Sequence, residues 1–212
     1  MPTAVNEADF DDPNCQLEAE GMQWEGEPPR LRTASDNDPS NRRGYYYVRN
    51  GGLFWQRRAE FYDGDTLVRF SSRLDWRGQV KNQEEHMNSP WWLNNARFQD
   101  LMGRARDVGV PLLEMARRQL AIPQGWNSGD YLVVARPRVL LAAYSGHGLT
   151  AEAKGDRRII ASEAPGLWIN QLYVPGLGRQ PWLALPRPPR ALSWLQFMRM
   201  RPIAEVERTF VL

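Results

Sequence analysis

The chain has 212 residues, with 27 Lys and Arg against 25 Asp and Glu for a formal charge of +2. That length suits one domain with a real core, or a smaller domain with an appendage. Cys15 is the single cysteine and His86 and His147 are the two histidines, so a disulfide framework and a cysteine-based metal cluster are excluded and no metal site is expected.

The N-terminus lacks a basic stretch followed by an apolar run, and nowhere do about twenty apolar residues follow one another. No signal peptide, membrane span or membrane partner is therefore expected, and the location is read as cytoplasmic or reached without a cleaved signal. Charge is uneven along the chain. Residues 1–40 hold ten acidic side chains against Arg30 and Arg32, about −8, which leaves the rest near +10. A basic body favours anionic partners: nucleic acid, a nucleotide or an acidic protein surface.

In chain order, Pro28-Pro29, Asp36-Asn37-Asp38-Pro39 and Arg42-Arg43-Gly44 punctuate the approach to the first apolar cluster and place a boundary near residue 40. Residues 1–40 read as an acidic, Pro-containing arm, either a solvated leader or a docking element. Tyr45 to Arg49, Asn50-Gly51-Gly52 and Leu53 to Trp55 read as strand, turn and strand, because Asn-Gly supplies the positive φ of a tight hairpin. Thr66 to Ser71 is a further strand. Apolar residues at helical spacing predict helices over Ala96 to Val108 and Pro111 to Ala121, the second bounded by Pro111 and Pro123. Short β-rich runs follow at Tyr131 to Ala135, Val139 to Tyr144, Arg158 to Ala161 and Leu167 to Val174. The fold class is α+β: one mixed domain over 41–185 with a split or twisted, mostly antiparallel β core and a helical middle. Residues 186–212 form a basic Pro/Arg-rich segment, in which Leu185 to Arg190 is extended and leads to an amphipathic run, Ala191 to Met200.

Several residues carry candidate chemistry. Arg69, at the end of an apolar strand, can hold a phosphate or carboxylate by two parallel hydrogen bonds, or can make an ordinary surface ion pair. Ser71 and Ser72 can donate to the same ligand or satisfy local backbone groups. The adjacent indoles Trp91 and Trp92 can stack on a flat heterocycle, or can cap the core before the helix near Ala96. His147, between Gly146 and Gly148, can serve as a base or orient a ribose, or can be a plain loop residue.

The strand bearing Arg69, the helical middle, the later short strands and Gln171-Leu172-Tyr173-Val174-Pro175-Gly176 together resemble the mono-ADP-ribosyltransferase toxins, over about residues 45–180. The resemblance implies NAD as substrate and transfer of ADP-ribose to a macromolecular acceptor, protein or nucleic acid, in a toxin or effector with an immunity or neutralising protein as a further partner. It gives Arg69 and Gln171 the catalytic positions, and Arg69, Ser71, Ser72, Trp91, Trp92 and His147 the binding of NAD. The family's last signature strand carries a glutamate where this chain has Gln171, and an amide cannot supply negative charge to a developing cation. Three outcomes stand open: Gln171 suffices, Glu163 or another acid takes over, or catalysis is absent. The alternatives are a noncatalytic interaction module using the acidic arm and basic body, and a nucleic-acid-binding protein.

Overall fold

A computed structural model of the chain describes residues 2–22, 50–151, 169–178 and 189–209. Two short helices, α1 (Glu7–Phe10) and α2 (Pro13–Ala19), precede the strands β1 (Leu53–Phe61) and β2 (Leu67–Ser71). Helix α3 (Gln83–Met87), strand β3 (Trp91–Asn94) and helices α4 (Asn95–Val108) and α5 (Leu112–Leu120) come next. Strands β4 (Tyr131–Pro137), β5 (Leu141–Gly148) and β6 (Asn170–Tyr173) lead to α6 (Ala191–Trp194), β7 (Leu195–Pro202) and α7 (Ile203–Arg208).

Local chemistry sets the helix ends. The Asn94 side chain accepts from the Arg97 N–H at 2.8 Å to start α4, and Gly109, at φ 71°, ends it. Asn82 and Glu85 form a reciprocal capping box on α3. Pro111 opens α5, and Ala121 closes it in the left-handed region at φ 49°.

The strands form one antiparallel sheet in the order β1-β5-β6-β3-β2-β4-β7, so the α+β reading with an antiparallel core holds. Strand β3 is its hinge. Trp91 and Trp92 pair with Tyr173 and Leu172 of β6, whereas Leu93 and Asn94 pair with Val68 and Leu67 of β2. Among the described residues Arg69, Phe70 and Ser71 therefore pair with β4 alone, and a gap opens between the two halves of the sheet.

Alternation along the strands sorts side chains to two faces. One face carries Leu67, Trp92, Val133, Leu141 and Leu172 against Met87, Trp194 and Leu195. The other carries Val68, Phe70, Leu93, Leu132 and Val134 beneath Phe98, Leu101, Met115 and Leu120 of α4 and α5.

Three expectations change. Trp91 and Trp92 are strand residues at the centre of the sheet, since β3 finds partners on both sides. Ala191 to Met200 is one helical turn followed by the edge strand β7, because β4 offers it a full ladder. Residues 2–22 are docked rather than solvated: Asp9 pairs with Arg190 at 2.6 Å, and Glu7 with Arg58 at 2.5 Å. A charge count cannot see these partners. The described stretches 2–22 and 189–209 pack with residues of the sheet, and the expected boundaries near residues 40 and 185 lie outside the described residues. Tyr45 to Arg49, Arg158 to Ala161, Glu163 and most of Leu185 to Arg190 lie outside the described residues. Among the described residues, no helix is long and apolar enough to cross a membrane.

Candidate functional site

Where β2 and β3 part, a cavity of about 190 Å³ opens. Arg69, Trp91, Trp92 and Gln171 all border it, together with Ser89, the end of α5 at Leu120 to Ile122, Trp126, Asn127 and the Gly51-Gly52 turn. Four residues chosen from sequence positions spread over about a hundred residues thus meet at one place. They reach it from two directions. The ladder puts Arg69 and Trp92 on one face and Trp91 and Gln171 on the other, and the gap between the half-sheets lets both pairs border the same space.

The Arg69 guanidinium lies 5.6 Å from the Trp92 ring centroid, and its Nη1 donates to the His86 carbonyl at 3.0 Å. Its Nε is buried without a hydrogen-bond partner, and no carboxylate pairs with it among the described residues. Burial pushes its pKa down from the usual arginine value to about 9. Such a group is a half-buried cation whose buried Nε donor is in reserve. Nearby, burial and the Arg69 charge both lower the pKa of Lys81.

Gln171 is only 7% exposed, and its Nε2 donates to the Leu120 carbonyl at 2.7 Å. Gly148 makes this possible, since a Cβ there would stand 2.3 Å from that same nitrogen. The amide is therefore fixed by the end of α5 and by a glycine of β5. A carboxylate in the same pose would face the Leu120 oxygen without a proton to share. No Asp, Glu or His is among the described residues lining the cavity.

The remaining sequence candidates sit elsewhere. Ser71 is fully buried and its Oγ is 2.9 Å from His86 Nδ1. Ser72 donates to Asn127 Oδ1 at 3.0 Å and accepts from the Ser128 N–H at 2.9 Å, so it braces the loop that carries Asn127. His147 lies in β5 opposite Asn170, one residue out of phase with the Gly146–Gln171 pair, and so faces away from Gln171. Its ring meets Trp55 edge-on at 5.8 Å, and burial lowers its pKa. Trp126 and Asn127 join the site without a motif of their own; the sequence marks them through the turn-rich run Gly125-Trp126-Asn127-Ser128-Gly129 alone. Among the described residues, no group of three or more His, Cys, Asp or Glu is placed to hold a metal.

Comparisons with protein-family models, with curated proteins and with solved structures found no match.

Proposed function

We propose that the cavity binds the nicotinamide end of NAD and that the domain transfers ADP-ribose to a macromolecular acceptor. The observation that carries this reading is the meeting of Arg69, Trp91, Trp92 and Gln171 at one cavity between the half-sheets. An arginine with a buried spare donor suits an anionic oxygen, and indole rings suit a flat heterocycle. At about 190 Å³ the space falls short of the roughly 300–1,000 Å³ of drug-sized sites. It takes one ring and its neighbouring atoms, so the adenosine half of NAD lies outside it.

In the transfer the C1′–N bond to nicotinamide breaks and the ring departs with the bonding electrons as a neutral base. The acceptor nucleophile then bonds to C1′ and gives up its proton. Gln171 can hold a ribose hydroxyl through its amide oxygen. The negative charge that favours the developing cation must come from outside the described lining, and Glu163 is the acid the sequence offers. A second reading, a noncatalytic binding module, is favoured by the fixed Gln171 amide and by a described lining without a carboxylate.

Calorimetry with NAD, beside nicotinamide release and transfer of labelled ADP-ribose in a cell lysate, separates the two. The expected result is NAD binding and labelling by the parent, with Arg69→Ala losing both and Glu163→Gln losing labelling alone. Binding without nicotinamide release selects the module. Absence of binding overturns the NAD reading in both forms.

A further inference from the structure

Beyond β2 the chain leaves the sheet as a small hairpin over residues 73–81. Lys81 N–H donates to the Arg73 carbonyl at 3.0 Å, and Leu74 and Val80 form a bridge. Gly78 N–H closes the turn on the Asp75 carbonyl at 3.1 Å, with Gly78 at φ 80°. Asp75 Oδ1 accepts from the N–H groups of Arg77 and Gln79 at 2.9 and 2.8 Å. Asp130 anchors the root through the Arg73 N–H at 2.7 Å. The turn is thus organised by its own hydrogen bonds, so little ordering is left for a partner to impose.

Its apolar side chains gain nothing from this order within the molecule. Trp76 is 85% exposed, Val80 65% and Leu74 45%. Leu74 and Val80 are cross-strand neighbours and share a face, and Trp76 stands at the corner of the turn beside them. Interleaved with them are the exposed Arg73 and Arg77 and the half-buried Lys81. Asp75 is occupied by the turn, and Asp130 and Glu85 act on Lys81 at the root, which leaves the two arginines as the exposed charge of the tip. The Arg77 guanidinium lies 4.5 Å from the Trp76 ring centroid.

We propose that this hairpin docks the protein onto an anionic lipid surface. An aromatic and two aliphatic side chains fit the boundary between headgroups and acyl chains, and the flanking cations meet the anionic headgroups. A single nucleic-acid strand would use the indole and the cations but leave Leu74 and Val80 in water, so it accounts for less of the surface. Such a peripheral contact needs no spanning segment, and so replaces the expectation of no membrane partner. The docking is independent of whether NAD occupies the cavity.

The test is sedimentation of the full chain with vesicles of phosphatidylcholine alone and of phosphatidylcholine mixed with phosphatidylserine. Fluorescence anisotropy with a labelled oligothymidylate runs beside it. The altered side chains are exposed, so the variants address binding rather than folding. Retention on the mixed vesicles only is expected. At about 1 kcal/mol per surface cation, the Arg73→Ala/Arg77→Ala pair lowers it about 30-fold, and Trp76→Ala lowers it about tenfold. The proposal is overturned by equal retention on both vesicles, by retention that Trp76→Ala leaves intact, or by oligonucleotide binding without vesicle binding.

Discussion

Arg69 is held at a cost to the fold: its half-buried side chain lies beside Trp92 with Nε buried and unpartnered, another nitrogen is bonded to the His86 carbonyl, and no described carboxylate offsets the charge. A buried, unpaired cation opposes folding, whereas an apolar side chain of similar length does not. Arg69→Met is therefore expected to melt at the parent temperature or a few degrees above it while losing NAD binding, a pairing that thermal melts and calorimetry read together. If the arginine served the fold through its bond to the His86 carbonyl, the variant would lose stability instead. Gln171 gives the opposite expectation. Glu at this position replaces a 2.7 Å donated bond with two facing oxygens, so Gln171→Glu should lose about 1–3 kcal/mol in urea unfolding at neutral pH. Nicotinamide release should not increase, because the new carboxylate is directed at Leu120 rather than at a substrate. A stable and more active variant would place Gln171 at the catalytic position and sink this account of its amide.

At the scale of elements, the N-terminal helices matter more than their length implies. Asn6 is fully buried, and its side chain donates to the carbonyls of Ala142 and Pro175 at 2.8 and 3.0 Å and accepts from the Ala142 N–H at 2.8 Å. One side chain thus completes the edge of β5 and fixes the Pro-Gly turn after β6. Asn6→Ala leaves three buried backbone groups unmatched, and at about 1 kcal/mol each the denaturation midpoint should fall by the equivalent of about 3 kcal/mol; an unchanged midpoint would mean that water replaces the amide. Nothing in the acidic count of residues 1–40 pointed to this role. What was legible were elements whose residues carry their own signal: β2, β4 and β5 by β-rich runs, α4 and α5 by spacing and end residues. Strand β3 was not, because its four residues are strand only by virtue of β6 and β2, which come from distant parts of the chain. The site divided in the same way. Arg69, Trp91, Trp92 and Gln171 could be named from residue type, whereas Trp126 and Asn127 border the cavity only because Ser72 and Ser128 hold their loop against the end of β2. His147 was drawn in by its glycines, but which face of a strand it occupies depends on register with β6.

Taken as a whole, the molecule joins its N-terminal helices to the sheet through a half-buried acid, Glu18. The Tyr173 hydroxyl of β6 donates to Glu18 Oε2 of α2, and the Tyr173 ring meets Trp91, which borders the cavity, edge-on at 5.1 Å. Burial pushes the Glu18 pKa up from 4.5 to about 7, against the smaller lowering effect of the Tyr173 hydroxyl. Because the folded value lies above the unfolded one, the native state binds the extra proton between about pH 4.5 and pH 7. The stability associated with it is complete below that window and is lost as the pH rises through it. At 1.36 kcal/mol per unit the effect is on the order of 3 kcal/mol. His86 and His147 act in the other direction: burial lowers both, so their penalty on the folded state fades as pH rises past the ordinary histidine value. The parent curve mixes these slopes, and the informative quantity is the difference between parent and Glu18→Gln, in which the amide keeps an acceptor for Tyr173 but cannot ionise. Urea midpoints should coincide near pH 4.5 and diverge in favour of Glu18→Gln toward pH 8. Parallel curves would show that Glu18 is ionised throughout, and that the docking of α2 against the sheet is insensitive to its proton.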